Sequence, residues 1–294
     1  MIAFSLVMAT RGRTTEVAAF MDSLLAQGEH ASRSELIVVD QNPDDRLVPV
    51  LAPYKDRLSL VHLRSAVANA NNARNLGLRS ARGRIVGFPD DDCLYPPGLL
   101  DRAADAFARD PSLMVLTGPA ASPEGGLGSG RWRAEGGPID SQNVWTSVIE
   151  FNLWVHRRLA LALGGFDEAM GPGTPIGSAE GNDLVLRAVM AGHQARYEPE
   201  LRVVHPDKRL TEVAVSRARL YGRGLGFALR RHHASPATCL RFALRPFGGV
   251  AMSLLKGRPR DAAYYAMTLL GRAEGFARSD ARGGRVQPAI RGEP

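Results

Sequence analysis

Two cysteines in 294 residues, Cys93 and Cys239, are too few and too far apart for a disulfide framework or a CxxC-type metal site. The expectation is two reduced thiols in a reducing compartment. Long apolar runs are also missing. The most apolar C-terminal stretch, residues 247–255, falls well short of the roughly 20 residues that cross a bilayer as a helix, so no spanning helix is expected. The opening nine residues have no basic leader and run straight into Arg11 and Arg13, which predicts a cytoplasmic start without a signal peptide. There is no internal repeat. No helix-turn-helix, zinc-finger or RNP-type motif accompanies the basic charge, so nucleic acid is not an expected partner. A glycine-rich phosphate loop near the N-terminus is absent too, since residues 10–15 offer only Gly12. That weighs against a nucleotidyltransferase, the other enzyme class that uses carboxylates and metal on a nucleotide-binding sheet.

What is present is an ordinary globular composition, 45% hydrophobic and 23% charged, enough for one large α/β unit with an appendage or for two ordinary units. The net charge of +7 is unevenly placed: residues 1–201 carry 19 Lys/Arg against 24 Asp/Glu, and residues 202–294 carry 18 against 6. All of the excess positive charge is therefore C-terminal. From residue 211 the periodicity is helical, with Arg230, Arg231, His232, His233, Arg241, Arg245, Arg258 and Arg260 interleaved with leucine and phenylalanine. Such a segment suits an interfacial amphipathic helix on an anionic membrane surface, and equally basic helices packed on the rest of the chain or at a dimer contact.

Residues 1–120 alternate between short β-rich runs and helical stretches, the pattern of a mostly parallel sheet with crossover helices. Strands are predicted at 4–9, 36–40, 58–62, 85–89 and 115–117, and helices at 14–27, 70–79 and 97–109. Residues 119–137 contain six glycines between 125 and 137 and read as a mobile loop. Residues 144–163 are apolar and aromatic, and a helix is expected at about 182–191. Trp132, Trp145 and Trp154 flank the glycine-rich loop; stacking on an acceptor is open to them, with core packing the default for the last two.

The strongest local feature is Gly87-Phe88-Pro89-Asp90-Asp91-Asp92, three carboxylates at the end of a predicted buried strand. Ligands of open α/β sheets sit outside the carboxyl ends of strands, and clustered carboxylates repel one another unless a cation neutralises them. A hard divalent metal bridging carboxylate and diphosphate oxygens meets both conditions. A solvated acidic turn at a helix N-terminus is the bland alternative.

In combination, four motifs resemble the family 2 glycosyltransferases of the GT-A fold, over about residues 2–210. Ser5 to Arg13 is similar to that family's first strand and Thr-x-x-Arg turn, and Leu36 to Asn42 to its second strand with a terminal aspartate. Ala73-Arg74-Asn75-Leu76-Gly77 matches its Ala-Arg-Asn-x-Gly helix start, and the acid triplet falls where the family keeps a metal-binding Asp-x-Asp. The resemblance implies an inverting transferase that moves a sugar, a hexose by preference, from a nucleotide-diphosphate sugar of UDP or GDP type to a hydroxyl of a glycan or lipid-linked acceptor. It implies a GT-A catalytic domain over 1–206, with a nucleotide-sugar half at 1–120 and an acceptor half at 121–206, followed by a basic helical extension at 207–294. Location would be cytoplasmic, or peripheral on the inner membrane face.

Site roles follow from the same resemblance. Thr10, Arg13, Asp40, Arg74, Asp90 and Asp91 are expected to contact the donor, with Asp40 on its base, and Arg74 to meet a phosphate or orient an aspartate. Asp92 and His205 are expected to hold Mn2+ or Mg2+. Gly164-Gly165-Phe166-Asp167-Glu168 resembles the family's acceptor-side segment, and Glu180-Gly181-Asn182-Asp183-Leu184 its Glu-Asp-x-Asp-Leu stretch. An inverting transfer needs a carboxylate to take the acceptor proton. Glu180 is the first choice and Asp183 the second, because Gly181 stands where many relatives have an aspartate.

Overall fold

The computed structural model describes residues 2–128, 130–206 and 212–278. Residues 207–211 and 279–294, part of the basic extension expected over 207–294, lie outside the described residues. The chain runs β1 (Phe4–Thr10), α1 (Thr15–Leu25), α2 (Glu29–Ser32), β2 (Ser34–Asp40), α3 (Val48–Leu51), β3 (Ser59–Arg64), α4 (Ala70–Ser80), β4 (Ile85–Gly87), α5 (Leu99–Arg109) and β5 (Leu113–Thr117). It continues through β6 (Ala120–Ala121), β7 (Gly137–Pro138), β8 (Leu153–His156), α6 (Arg157–Ala162), α7 (Glu180–Met190), β9 (Gln194–Tyr197) and β10 (Val203–Val204). Three long helices follow, α8 (Glu212–Arg231), α9 (Pro236–Leu255) and α10 (Pro259–Arg278).

The eight-stranded sheet has the order β3-β2-β1-β4-β8-β5-β9-β7. Strands β1 to β4 are mutually parallel, and β1 has β2 on one side and β4 on the other, so the chain switches direction across β1. That switch opens a crevice at the carboxyl ends of these strands. Alternation in β1 explains how the sheet is covered on both faces. Phe4, Leu6 and Met8 pack with Phe20, Leu24, Leu99 and Phe107 beneath α1 and α5, whereas Val7 packs with Ala73, Leu78 and Leu184 beneath α4 and α7.

Strand β8 is a departure from the expected sheet. It lies antiparallel between β4 and β5, in a region whose residues suggested only an apolar aromatic stretch. Four residues are too few to show a period, and the evidence for a strand is its pairing rather than its composition. Trp154 on β8 is fully buried against Phe4 and Tyr95, so this tryptophan is core. The glycine-rich stretch also differs from the loop expected over 119–137. Its first residues form β6, which pairs in parallel with β10, Ala121 bridges Leu127, and Gly137–Pro138 pairs with β9.

The basic segment packs onto the sheet unit. His232 at the end of α8 bonds Asp183 Oδ1 at 2.8 Å, Arg231 pairs with Asp167, and Ser178 Oγ donates to the Tyr221 carbonyl at 2.8 Å. Within the segment, Gly222 and Gly226 on α8 face Gly271 and Gly275 on α10 so closely that a Cβ at any of them would strike backbone of the other helix.

Candidate functional site

Helix α4 begins at Asn69, whose side chain accepts the Asn71 and Asn72 N–H groups at 2.9 and 3.0 Å, a cap that satisfies two of the orphan donors of a helix start. Each later position of Ala73-Arg74-Asn75-Leu76-Gly77 then has a separate task. Gly77 lets the helix lie against β1, because a Cβ there would overlap the Val7 side chain. Asn75 clamps the segment after Gly165: its Nδ2 donates to the Phe166 carbonyl and its Oδ1 accepts the Phe166 N–H, both at 2.8 Å. Arg74 points into the crevice and bridges two acids, Asp90 Oδ1 at 2.9 Å and Glu180 Oε1 at 3.1 Å, while also bonding Asn71 Oδ1 and lying 5.5 Å from the Phe166 ring centre. Sequence left Arg74 between a phosphate contact and an aspartate support; in the structure it pairs with carboxylates.

The acid triplet follows β4 directly, where Asp90 bridges Ala9 of β1. Its three carboxylates face different partners. Asp91 Oδ1 pairs with Arg13 at 2.9 Å, and Asp92 uses Oδ2 for Arg13 and Oδ1 for His205 Nε2 at 3.2 Å. Asp90 turns Oδ1 to Arg74 and Oδ2 toward His205 Nε2, 4.0 Å away. Burial pushes Asp91 up to about 6, against the pull of Thr10 and Arg13. Burial acts the same way on Asp92, but the His205 and Arg13 contacts outweigh it and bring that carboxyl down to about 2.

His205 is delivered by β10, whose pairing with β6 extends to a bond from the His205 N–H to the Ala121 carbonyl. Its ring stacks on Phe151, with centres 4.4 Å apart and planes at 8°, and Nδ1 sits 2.8 Å from the Pro206 carbonyl. A carbonyl can only accept, so Nδ1 carries a proton; a proton on Nε2 as well lets the ring donate to Asp92, and in its neutral form the ring would aim the Nε2 lone pair at Asp90 and Asp92. Burial alone would lower the His205 pKa, yet the Asp92 hydrogen bond and the charges of Asp92 and Asp90 raise it.

Asp90, Asp92 and His205 each offer a ligand atom within 4.8 Å of the others, the one such group of three among the described residues. Two ligands on neighbouring sites of one ion, each about 2.1 Å from it, lie about 3 Å apart. The 3.2 and 4.0 Å spacings thus need only a small closure to share a cation. The Nδ1–carbonyl bond is the kind of outer contact that fixes a ligating imidazole. The donor set therefore fits a divalent metal. It also brings Asp90, expected nearer the nucleotide, into the group with Asp92 and His205.

The crevice beside this cluster is a cleft of about 360 Å³ lined by Ala9, Arg11, Gln41, Arg74, Pro172 and Tyr221 together with Arg13, His205 and the triplet. Thr10 and Asp40, expected at the donor, lie just behind this wall. Thr10 Oγ1 is buried and lacks a hydrogen bond of normal geometry. Asp40 is fully buried and occupied: Oδ1 accepts from the Asn42 N–H and Nδ2, both at 2.8 Å, and Oδ2 meets His62 at 3.1 Å and Arg64 at 3.4 Å. Its half-buried neighbour Gln41 lines the cleft instead. Arg217 and Tyr221 of α8 also line the cleft, and nothing in the basic helical pattern singled them out.

The two proposed bases differ sharply in setting. Asp183 is fully buried, held by Arg187 at 2.8 and 2.9 Å and by His232 at 2.8 Å. Burial would raise its pKa, but those partners bring it below the ordinary value. Glu180 opens α7 after Ala179, which has a left-handed φ of 68°. It is 3% exposed, and burial followed by the charge of Glu150 raises it to about 7, with Arg74 opposing.

A family model for glycosyl transferase family 2 matches residues 5–156, more than half of the chain, and the chain belongs to that family. Its fold is the mostly parallel, helix-flanked α/β GT-A architecture. Among individual relatives, an uncharacterized glycosyltransferase of Haemophilus influenzae is 27% identical over 116 residues, 40% of this chain and 38% of that protein. The poly(ribitol-phosphate) beta-N-acetylglucosaminyltransferase TarS of Staphylococcus aureus is 28% identical over 123 residues, 40% of this chain and 22% of TarS. The aligned stretch thus spans well under half the length of either relative.

Likeness to solved structures extends further along the chain. S. aureus TarS 1-349 superposes with a TM-score of 0.60 at 14% identity, covering 93% of this chain and 92% of that one. The mannosyltransferase PcManGT from Pyrobaculum calidifontis, solved with GDP-Man and Mn2+, gives 0.64 at 18% identity, covering 92% and 86%. At these identities the likeness is one of fold.

Proposed function

We propose that this chain is a metal-dependent inverting glycosyltransferase that moves a hexosyl group from a nucleotide-diphosphate sugar to an acceptor hydroxyl in glycan assembly. The observation that carries the reading is the convergence of Asp90, Asp92 and His205 at the mouth of the cleft where β1 and β4 end. A Mn2+ or Mg2+ ion held by these three would neutralise the diphosphate as it leaves. The chain's own groups do the rest. Arg11, Arg13 and Arg217 line the cleft with positive charge suited to phosphates, and Gln41 offers a polar contact to the nucleoside, with Thr10 buried behind it. Arg74 holds Asp90 and the acceptor-side acid Glu180 in fixed relation. A carboxylate at or beside Glu180 takes the proton of the attacking hydroxyl. Asp183, committed to Arg187 and His232, anchors α8 against α7 as a positioning residue.

Complexes of TarS with UDP-GlcNAc and of PcManGT with GDP-Man support a donor of UDP- or GDP-sugar type. We place the catalytic part at 1–206, divided near 120 into donor and acceptor halves, with 207–294 as an extension whose first helix adds Arg217 and Tyr221 to the cleft. Among the described residues no helix is long and apolar enough to cross a membrane. Helix α9 does expose Leu240, Leu244, Phe247 and Leu254 along one stripe, with Arg241 and Arg245 beside it and no acidic residue between 236 and 260. This supports peripheral binding to an anionic membrane, at the inner face, near a lipid-linked acceptor.

The deciding experiment is a donor screen for nucleoside diphosphate release with Mn2+ or Mg2+, with and without glycan and lipid-linked acceptors. Acceptor-stimulated, chelator-sensitive release is expected. Diphosphate release from a nucleoside triphosphate would instead indicate nucleotidyl transfer and reject the reading.

A further inference from the structure

Gly181 stands where the family resemblance expects an aspartate, and the structure shows what fills that space. A Cβ built on Gly181 would lie 2.8 Å from Glu150 Oε1, 3.1 Å from its Cγ and 3.2 Å from its Cδ. Glu150 Oε1 also accepts the Gly181 N–H at 3.0 Å. A carboxylate therefore occupies the 181 position in space, brought there by the 3-10 turn Glu150–Asn152 instead of by α7.

We propose that Glu150 is the general base for the acceptor hydroxyl, standing in for the side chain that Gly181 lacks, with Glu180 behind it as the buried acid that holds Arg74. This deepens the transferase reading above and rests on it.

The surroundings separate the two carboxylates. Glu180 is 3% exposed and tied to Arg74, so an acceptor has little access to it, whereas Glu150 is half-buried. Both raise the Arg74 pKa through their charge, as Asp90 of the acid triplet does. The turn that carries Glu150 is also the one that seats the metal-site histidine, since the next residue, Phe151, stacks on His205 at 4.4 Å. Asn152, fully buried, pins the turn by donating to the carbonyls of Pro119 and Leu201. A base needs this kind of fixed backbone to meet a proton at hydrogen-bond distance.

The chemistry balances without a further reactant. The acceptor oxygen bonds to the anomeric carbon as its proton passes to Glu150. The bond from that carbon to the phosphate oxygen breaks, and its electron pair departs with the nucleoside diphosphate. With Oε1 held by the Gly181 N–H, Oε2 is the oxygen for the incoming proton, which Glu150 then returns to water.

Two variants test the assignment in the full chain. Glu150→Gln keeps shape and removes the base, so kcat for acceptor-dependent transfer should fall by about 100-fold or more while donor KM and Mn2+-dependent donor binding change by less than about twofold. The double change Glu150→Ala with Gly181→Asp moves a carboxylate back onto α7. Position 181 is helical, and removal of the Glu150 side chain frees the space for a Cβ. This variant should recover at least about tenfold in kcat over Glu150→Ala alone, a rescue that a merely structural role for Glu150 would not produce. Undiminished turnover in Glu150→Gln overturns the proposal, as does a folded, donor-binding double variant that stays at the Glu150→Ala level. Absence of nucleoside diphosphate release by the unmodified chain with every donor rejects the transferase reading itself.

Discussion

Replacing Arg74 with methionine would remove one buried cation from between Asp90 and Glu180 while keeping most of the side-chain volume. Losing one partner of a buried ion pair costs about 3–5 kcal/mol when the other is left charged and dry. Asp90, with a side chain 34% exposed, regains water and adds little. Glu180, 4% exposed, cannot, but it can escape by taking up a proton, because burial and the charge of Glu150 already raise it to about 7. Without Arg74 it rises further. A carboxyl whose folded pKa lies above its unfolded value of about 4.3 binds more protons folded than unfolded, so unfolding free energy falls as pH rises between the two values, by up to about 1.4 kcal/mol per pH unit. In the native chain that loss ends near pH 7; in Arg74→Met it continues above. The variant should therefore be destabilised by about 2 kcal/mol at pH 6, from lost hydrogen bonds and the contact with Phe166, and by about 1.4 kcal/mol more at pH 8. Urea unfolding of both proteins in metal-free buffer at the two pH values gives the comparison. A destabilisation that is equal at both, or larger at pH 6, would refute this account of Glu180.

Other outcomes follow from the same geometry. Asp92→Ala, or excess chelator, should abolish donor turnover, and full activity under either condition would exclude metal dependence. His205→Ala should weaken Mn2+ binding by at least about 10–100-fold, measured by titration calorimetry, since even outer contacts of metal ligands matter that much. Gly77→Ala should cost about 1–3 kcal/mol of stability in a denaturant melt, because its Cβ meets Val7 where α4 lies on β1. Phe247→Glu should reduce co-sedimentation with anionic vesicles and leave donor turnover in detergent-free solution unchanged; equal vesicle binding would remove α9 as the membrane face.

How much was legible beforehand depended on the range of the interactions involved. Strands β1 and β2 and helices α1, α4 and α5 could be read to within a few residues, because buried parallel strands are continuous apolar runs and amphipathic helices repeat every three to four residues. The four-residue β8 could not, since no period shows in so short a segment and its place between β4 and β5 is set by pairing. Asp40 shows a similar limit at the site. Its position at the end of β2 is a matter of sequence, but its saturation by His62 and Arg64 as well as by the nearby Asn42, and the place of Gln41 on the cleft in its stead, depend on how the end of β2 meets β3.

By itself the sequence determined the order of elements and the chemical types at their ends: an acid triplet after β4, an arginine at the start of α4, a glutamate at the start of α7 and a histidine after β10. These are local facts, set by periodicity and by the residues that strand ends and helix starts accept. Only the tertiary structure decided which of them touch. It put Asp90 and Asp92 with His205 across 113 residues of sequence from Asp92 (205 minus 92), made Arg74 a bridge between acids, and filled the space at Gly181 with Glu150. The physical reason is that a glycine announces only the absence of a side chain. What occupies the vacated volume is settled by close packing of segments that are remote along the chain.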